Sequence, residues 1–117
     1  MKRIMYVDDE VDLLEAMKIF LRRQGFEVRV TTSCSEGLEI LRSFVPDLIL
    51  LDINVGSEDG RLMCRQIKAQ AEYEHIPVIL ISASDGVMET YRDCGADFFV
   101  GKPFEFSELM NTLNVYL

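Results

Sequence analysis

The chain reads as an α/β domain, a parallel sheet doubly wound with helices on both faces. Three observations predict this. Short apolar runs alternate with longer segments whose apolar residues recur every three or four positions, with no linker, repeat or low-complexity stretch between them. Two of the runs, Leu48-Ile49-Leu50-Leu51 and Val78-Ile79-Leu80-Ile81, are apolar throughout, as expected of central parallel strands covered on both sides. A third run alternates apolar and charged residues, which marks a strand with one wetter face.

The elements follow in order. Arg3 to Val7 is the first strand. Val11, Leu14, Met17 and Leu21 then make one helical stripe. Asp9, Glu10 and Asp12 crowd its first turn, where the helix dipole favours anions, and Arg22-Arg23 with Gly25 close it. In the run from Phe26 to Val30, Phe26, Val28 and Val30 alternate with Glu27 and Arg29, the pattern of an edge strand. Ser33 or Ser35 can cap a second helix through Leu38, Ile40, Leu41 and Phe44, halted before Pro46.

Asp47 to Leu51 is the third strand, and a loop from Val55 to Gly60 leads to a third helix holding Leu62, Met63 and Ile67. Pro77 opens the fourth strand. A shorter helix over Gly86 to Cys94 is expected next, capped by Gly95. Phe98-Phe99-Val100 is the last strand, and Phe104, Phe106, Leu109, Met110, Leu113 and Tyr116 supply the stripe of a closing helix. With the second strand at an edge, the five strands fit the flavodoxin-like order 2-1-3-4-5.

Composition narrows the function. At 117 residues the chain is expected to be one domain, 1–117. A net charge of −8 argues against direct contact with nucleic acid, whose phosphates would repel it. No apolar run approaches the ~20 residues of a membrane span, and the first residues are too short and polar for a signal peptide, so a cytoplasmic location is expected. Cys34, Cys64 and Cys94 lack CxxC spacing or a His partner and read as buried free thiols.

The chemistry lies in five polar residues at the ends of four apolar runs. Asp8 and Asp9 follow the first strand, Asp52 the third, Ser82 the fourth, and Lys102 follows the fifth through Gly101. In the order 2-1-3-4-5 the first and third strands flank the switch point, where open α/β sheets bind their ligands. Asp8, Asp9 and Asp52 therefore meet at one sheet edge. Three carboxylates there repel one another unless a cation or a lysine offsets them, and Mg²⁺ suits an all-oxygen site that also takes a phosphate oxygen. Lys102 brings a second positive charge. The Ser82 hydroxyl and the backbone amide of small Ala83 suit a phosphoryl oxygen. A carboxylate between a cation and an ammonium can accept a phosphoryl group, and Asp52 stands in that position.

The residues resemble a known family. Tyr6-Val7-Asp8-Asp9-Glu10, Leu50-Leu51-Asp52, Asp59-Gly60, Ile81-Ser82-Ala83 and Lys102-Pro103-Phe104, in that order, are similar to the receiver domain of two-component response regulators over essentially the whole chain. The resemblance implies that Asp52 is phosphorylated by a histidine kinase or phosphotransfer protein. It implies Mg²⁺ held by Asp9, Asp52 and the Asn54 carbonyl, with Asp8 acting through water, and a cis Lys102-Pro103 bond. It implies a switch, Ser82 with Phe99, that alters binding to a downstream effector; phosphorylation-dependent dimerisation through the face of the fourth and fifth helices is left open. The domain would catalyse its own phosphotransfer and dephosphorylation, with no turnover of a small molecule, and would stand alone or form part of a longer regulator.

Departures from the family pattern are local. Val55-Gly56 stands where Met-Pro is common, which loosens that turn; Ser82 replaces a commoner Thr; and Phe99 stands where Tyr is frequent. A pseudo-receiver, the same fold used as a binding module without phosphorylation, is the alternative, and the complete set Asp9, Asp52, Ser82 and Lys102 argues against it. A small-molecule phosphohydrolase is disfavoured because no second acid lies two residues after Asp52. His75 reads as a solvated loop residue, and Arg61, Arg65 and Lys68 as a wet helix face. Tyr91, Phe99, Phe104 and Phe106 are expected to cluster where partner surfaces lie in receivers, with core packing an equally good account of most of them.

Overall fold

The computed structural model describes residues 1–83 and 90–117. Strand β1 (Arg3–Val7), helix α1 (Val11–Arg23), β2 (Glu27–Thr31), α2 (Cys34–Phe44) and β3 (Leu48–Asp52) come first. Two short strands, β4 (Asn54–Val55) and β5 (Glu58–Asp59), precede α3 (Gly60–Lys68) and β6 (Val78–Ser82). A 3₁₀ turn at Tyr91–Cys94, β7 (Phe98–Gly101) and α4 (Phe106–Tyr116) complete the chain. The main sheet is parallel with the order β2-β1-β3-β6-β7. With the β4–β5 hairpin set aside, this is the order 2-1-3-4-5 read from the sequence.

The hydrophobic pattern explains the layering. Successive strand residues point to opposite faces. Met5, Val7, Ile49, Leu51, Val78 and Leu80 face α2 and α3, while Ile4, Tyr6, Leu48, Leu50, Ile79 and Ile81 face α1 and α4. Leu48, Ile49, Leu50 and Leu51 are all fully buried. Each such side chain contributes roughly 1.5–3 kcal/mol, which is why these two runs occupy the sheet centre. At the edge, Glu27 and Arg29 of β2 are exposed, as the alternation required.

Several local expectations change. The helix stripes are rotated from the simplest reading: Val11 and Leu62 are more than half exposed. In α3 the buried positions are Gly60, Met63, Cys64 and Ile67, which turns Leu62 outward. Ser33, not Ser35, caps α2 by accepting from the Glu36 amide. The stretch after Asp52 is not an open loop. Asn54 pairs with Asp59 and Val55 with Glu58 in an antiparallel hairpin, and Gly56 takes the left-handed conformation (φ 61°) at its turn. Gly60 starts α3 so close to β3 that an added Cβ would collide with the Asp52 carbonyl oxygen.

The helix expected over Gly86 to Cys94 lies partly outside the described residues. Its described end is the 3₁₀ turn, followed by Gly95 at φ 88°, the left-handed cap that was expected. The four aromatic residues do not cluster. Tyr91 and Phe99 pack on the α2–α3 face of the sheet and Phe104 and Phe106 on the α1–α4 face. The three cysteines are buried and free. Burial, then the charge of Glu58, pushes the Cys34 thiol up to about 11. The Lys102-Pro103 bond is cis.

Candidate functional site

Parallel register sets the site. Val7 pairs with Leu51, Asp52 with Ile81, and Ser82 with Gly101, so all the strand ends carrying polar residues finish at one edge. The Lys102 amide donates to the Ser82 carbonyl at 2.9 Å, which extends that register one residue past β7. The Asp8 amide donates to the Thr31 carbonyl at 3.1 Å and holds the turn into α1.

Lys102 is the hub. Its Nζ lies 2.8 Å from Asp8 Oδ2, 3.0 Å from Asp52 Oδ2 and 3.4 Å from Glu10 Oε1. These contacts join residues far apart in the chain, and the side chains of Lys102, Asp8 and Asp52 are all largely or wholly buried. Asp8 is also held from below: Tyr6 Oη donates to Oδ2 at 2.8 Å and the Glu10 amide to Oδ1 at 2.9 Å. Asp52 Oδ1 accepts from the Asn54 amide at 3.2 Å. Asp9 is exposed, at the rim, and its Oδ2 accepts from the Gly56 amide at 3.2 Å. Tyr6 and Glu10 stood in the sequence only as flanks of the acid pair, with no role at the site assigned to them. The available signal for Tyr6 was its position two residues before Asp8, on the same side of the strand.

The electrostatics follow from burial and proximity. Burial pushes the Asp52 carboxyl above the usual carboxylate value and the Asp8 charge adds to this, while the hydrogen bond from Lys102 pulls the other way. For Lys102, burial alone would lower the amine, but its hydrogen bonds and charge interactions with Asp8 and Asp52 outweigh it and the net shift is upward. Burial and the Asp8 charge also push the Tyr6 hydroxyl up, which keeps it a donor. The crevice therefore holds a fixed ammonium beside two buried acids and an exposed third.

The donor set fits a hard divalent ion. One carboxylate oxygen from each of Asp8, Asp9 and Asp52 lies within 4.8 Å of the others. Oxygen donors of this kind suit Mg²⁺, which accepts a few carboxylates and fills its octahedron with water or phosphate oxygen. Asn54, the fourth expected ligand, follows directly at the start of β4.

Of the remaining expected residues, Ser82 and Ala83 lie beside this crevice. Ser82 is buried at the end of β6, and Ala83 beside it is exposed. Ala83 lines a cleft of about 360 Å³ with Glu10, Leu13, Lys102, Pro103 and Phe104. Phe99 is half-buried on β7, against the α2–α3 core rather than in the crevice. His75 lies at the opposite edge, with Lys2, Pro46 and Pro77. On α3, Arg61 and Arg65 are exposed, but Lys68 is drawn inward onto the Glu74 and Ile76 carbonyls and the Asp97 carboxylate. Among the described residues no helix is long and apolar enough to cross a membrane.

Comparison with known proteins points one way. The model of the response regulator receiver domain matches residues 4–114. The chain is 33% identical over 111 residues to the DNA-binding response regulator MtrA of Mycolicibacterium smegmatis, covering 93% of this chain and 47% of that protein. It is 31% identical over 117 residues to the response regulator MprA of Mycolicibacterium vanbaalenii, covering 98% of this chain and 50% of that protein. The chain thus spans about half the length of the curated relatives it matches. Among solved structures, the receiver domain of a signal transduction histidine kinase from Syntrophus aciditrophicus is similar at TM-score 0.90 and 30% identity, covering 100% of this chain and 90% of that one. The Vibrio cholerae chemotaxis protein CheY4 has the same fold, at TM-score 0.93 and 24% identity, covering 100% and 99%.

Proposed function

We propose, for a chain that belongs to the response regulator receiver domain family, that Asp52 accepts a phosphoryl group and that the domain is a phosphorylation-dependent switch. The observation that carries this reading is the Lys102 amine 3.0 Å from one oxygen of Asp52, with the Asp9 carboxylate within reach on another side.

The step is a displacement. An Asp52 carboxylate oxygen bonds to phosphorus as the bond from phosphorus to the donor's histidine nitrogen breaks, and that nitrogen keeps the electron pair and takes a proton. Such transfer needs positioning and charge neutralisation more than covalent invention. Asp9, Asp52 and the Asn54 carbonyl would hold Mg²⁺, which when bound supplies positive charge against the phosphoryl oxygens. Asp8 carries the hydrogen bonds from Tyr6 and the Glu10 amide and holds Lys102 in place. Lys102 then exchanges an Asp52 oxygen for a phosphoryl oxygen. Ser82 and the Ala83 amide receive others.

Phosphorylation replaces the Asp52 carboxylate by an acyl phosphate, which adds about one unit of negative charge and new acceptor oxygens at the end of β3. Closure of Ser82 and Lys102 on that group alters β6 and β7, with Phe99 as the packing reporter. The proposed donor is a histidine kinase or a phosphotransfer protein, and the proposed recipient of the signal is an effector domain or protein, with dimerisation as one route. Incubation with Mg²⁺ and acetyl phosphate tests the reading: one phosphoryl group should appear by mass, and Asp52→Asn should abolish it. A wild-type chain that gains no mass is a pseudo-receiver instead.

A further inference from the structure

The Asn54–Asp59 hairpin touches three parts of the molecule, two of them remote from it in sequence. At its base the Asn54 amide donates to Asp52 Oδ1. At its turn the Gly56 amide donates to Asp9 Oδ2 at 3.2 Å, across 47 residues of chain. On its second strand Glu58 is spent entirely on α2: Oε1 accepts from the Cys34 amide at 2.9 Å and Oε2 from the Ser35 hydroxyl at 3.0 Å. A carboxylate on the first amide of a helix is favoured both by the charge-assisted hydrogen bond and by the helix dipole.

The Gly56 contact depends on this chain's own residues. A proline at 56 would have no N–H to donate. Glycine supplies the donor and tolerates the left-handed turn (φ 61°) that aims it at Asp9. Asp9 itself is an exposed side chain whose rotamers are otherwise free, and a pair of two-residue strands is marginal without outside anchors.

We infer that Glu58 and the Gly56 amide are positioning residues: Glu58 pins the hairpin to α2, and the hairpin holds the Asp9 carboxylate in its cation-binding pose. This rests on the Mg²⁺ reading above and deepens it, because affinity for the ion becomes linked to the N-terminus of α2. If the anchor is lost, the fraction of chains with Asp9 in place falls, and apparent affinity falls by the same factor. The linkage is reciprocal, so the ion should also tighten the Glu58 contacts on α2.

The test compares Glu58→Ala with Ser33→Ala. Ser33 caps the same helix by accepting from the Glu36 amide, whereas Glu58 of the hairpin bonds Cys34 and Ser35. Both variants should lower Tm. Titration of metal-free protein with Mg²⁺ by calorimetry should give binding about three- to tenfold weaker for Glu58→Ala and unchanged for Ser33→Ala. Glu58→Gln, which keeps the side-chain length and one acceptor, should fall between Glu58→Ala and wild type. Amide exchange supplies a readout independent of activity. Without metal the Gly56 amide should exchange faster in Glu58→Ala than in wild type, and Mg²⁺ should slow exchange at the Cys34 amide in wild type only. Equal Mg²⁺ affinity in wild type and Glu58→Ala, or an equal loss in Ser33→Ala, overturns the inference. A wild-type chain that binds no Mg²⁺ refutes the cation reading itself.

Discussion

Replacing Lys102 by methionine keeps its apolar stem and removes the charge that two buried acids share. Wild-type Lys102 donates to Asp8 and Asp52, whose side chains are 0% and 6% exposed. Removing one partner of a buried ion pair typically costs about 3–5 kcal/mol, because the other charge is left uncompensated. Asp8 keeps its bonds from Tyr6 and the Glu10 amide and Asp52 keeps the Asn54 amide, which favours the lower end of that range. For a chain of 117 residues the unfolding entropy is roughly 0.25 kcal/mol/K, so Tm should drop by about 12 °C or more.

The pH dependence carries a definite sign. The Asp52 carboxyl is already raised above its ordinary 3.8 by burial, against the pull of Lys102. Without Lys102 it rises further. A raised acid binds a proton in the native state that the unfolded state has released, so native stability falls as pH climbs from about 3.8 through the native value. The Lys102→Met penalty should therefore be largest at neutral pH and shrink toward pH 4. Melting followed by circular dichroism in chelator, at neutral pH and at about pH 4.5, measures it. A loss below about 4 °C at neutral pH, or the same loss at both values, would refute the electrostatic account of the crevice.

Three further outcomes are expected. Millimolar Mg²⁺ should raise the wild-type Tm by a few degrees, since neutralising Asp8, Asp9 and Asp52 relieves their repulsion; an unchanged melt counts against the site. Tyr6→Phe removes the hydroxyl that donates to Asp8 and should cost about 1–3 kcal/mol by chemical denaturation, with the fold intact. A variant as stable as wild type would mean that Asp8 needs only Lys102. Gly60→Ala should destabilise strongly and impair phosphorylation together, because its Cβ meets the backbone carbonyl of Asp52 itself; normal stability would show that α3 shifts freely.

The alternation of runs and stripes was enough to predict five parallel strands, their order and both faces of the sheet. It succeeded because the strand period and the helix period are local properties, and because only a strand covered on both faces tolerates Leu48 to Leu51 without a polar residue. The acids could be named for a related reason: a carboxylate ending a buried run is costly enough to stand out. Where patterns overlap, local reading lost resolution. Leu62 fitted an apolar stripe but faces outward, Ser33 and Ser35 were equally good caps, and four aromatics near one end of the chain were sorted onto opposite faces of the sheet by the different elements that carry them.

What only the folded chain decided is which groups satisfy one another. Lys102 reaches Asp8 across 94 residues and Asp52 across 50, and those bonds exist because parallel register aligns the ends of β1, β3 and β7. The claim of Glu10 on the same crevice, and the bridge from Gly56 to Asp9 and from Glu58 to α2, have no signature in residue spacing. Periodicity states which way a side chain points within its own element. A hydrogen bond needs two elements brought within about 3 Å, and that distance is set by the packing of the whole sheet and its helices.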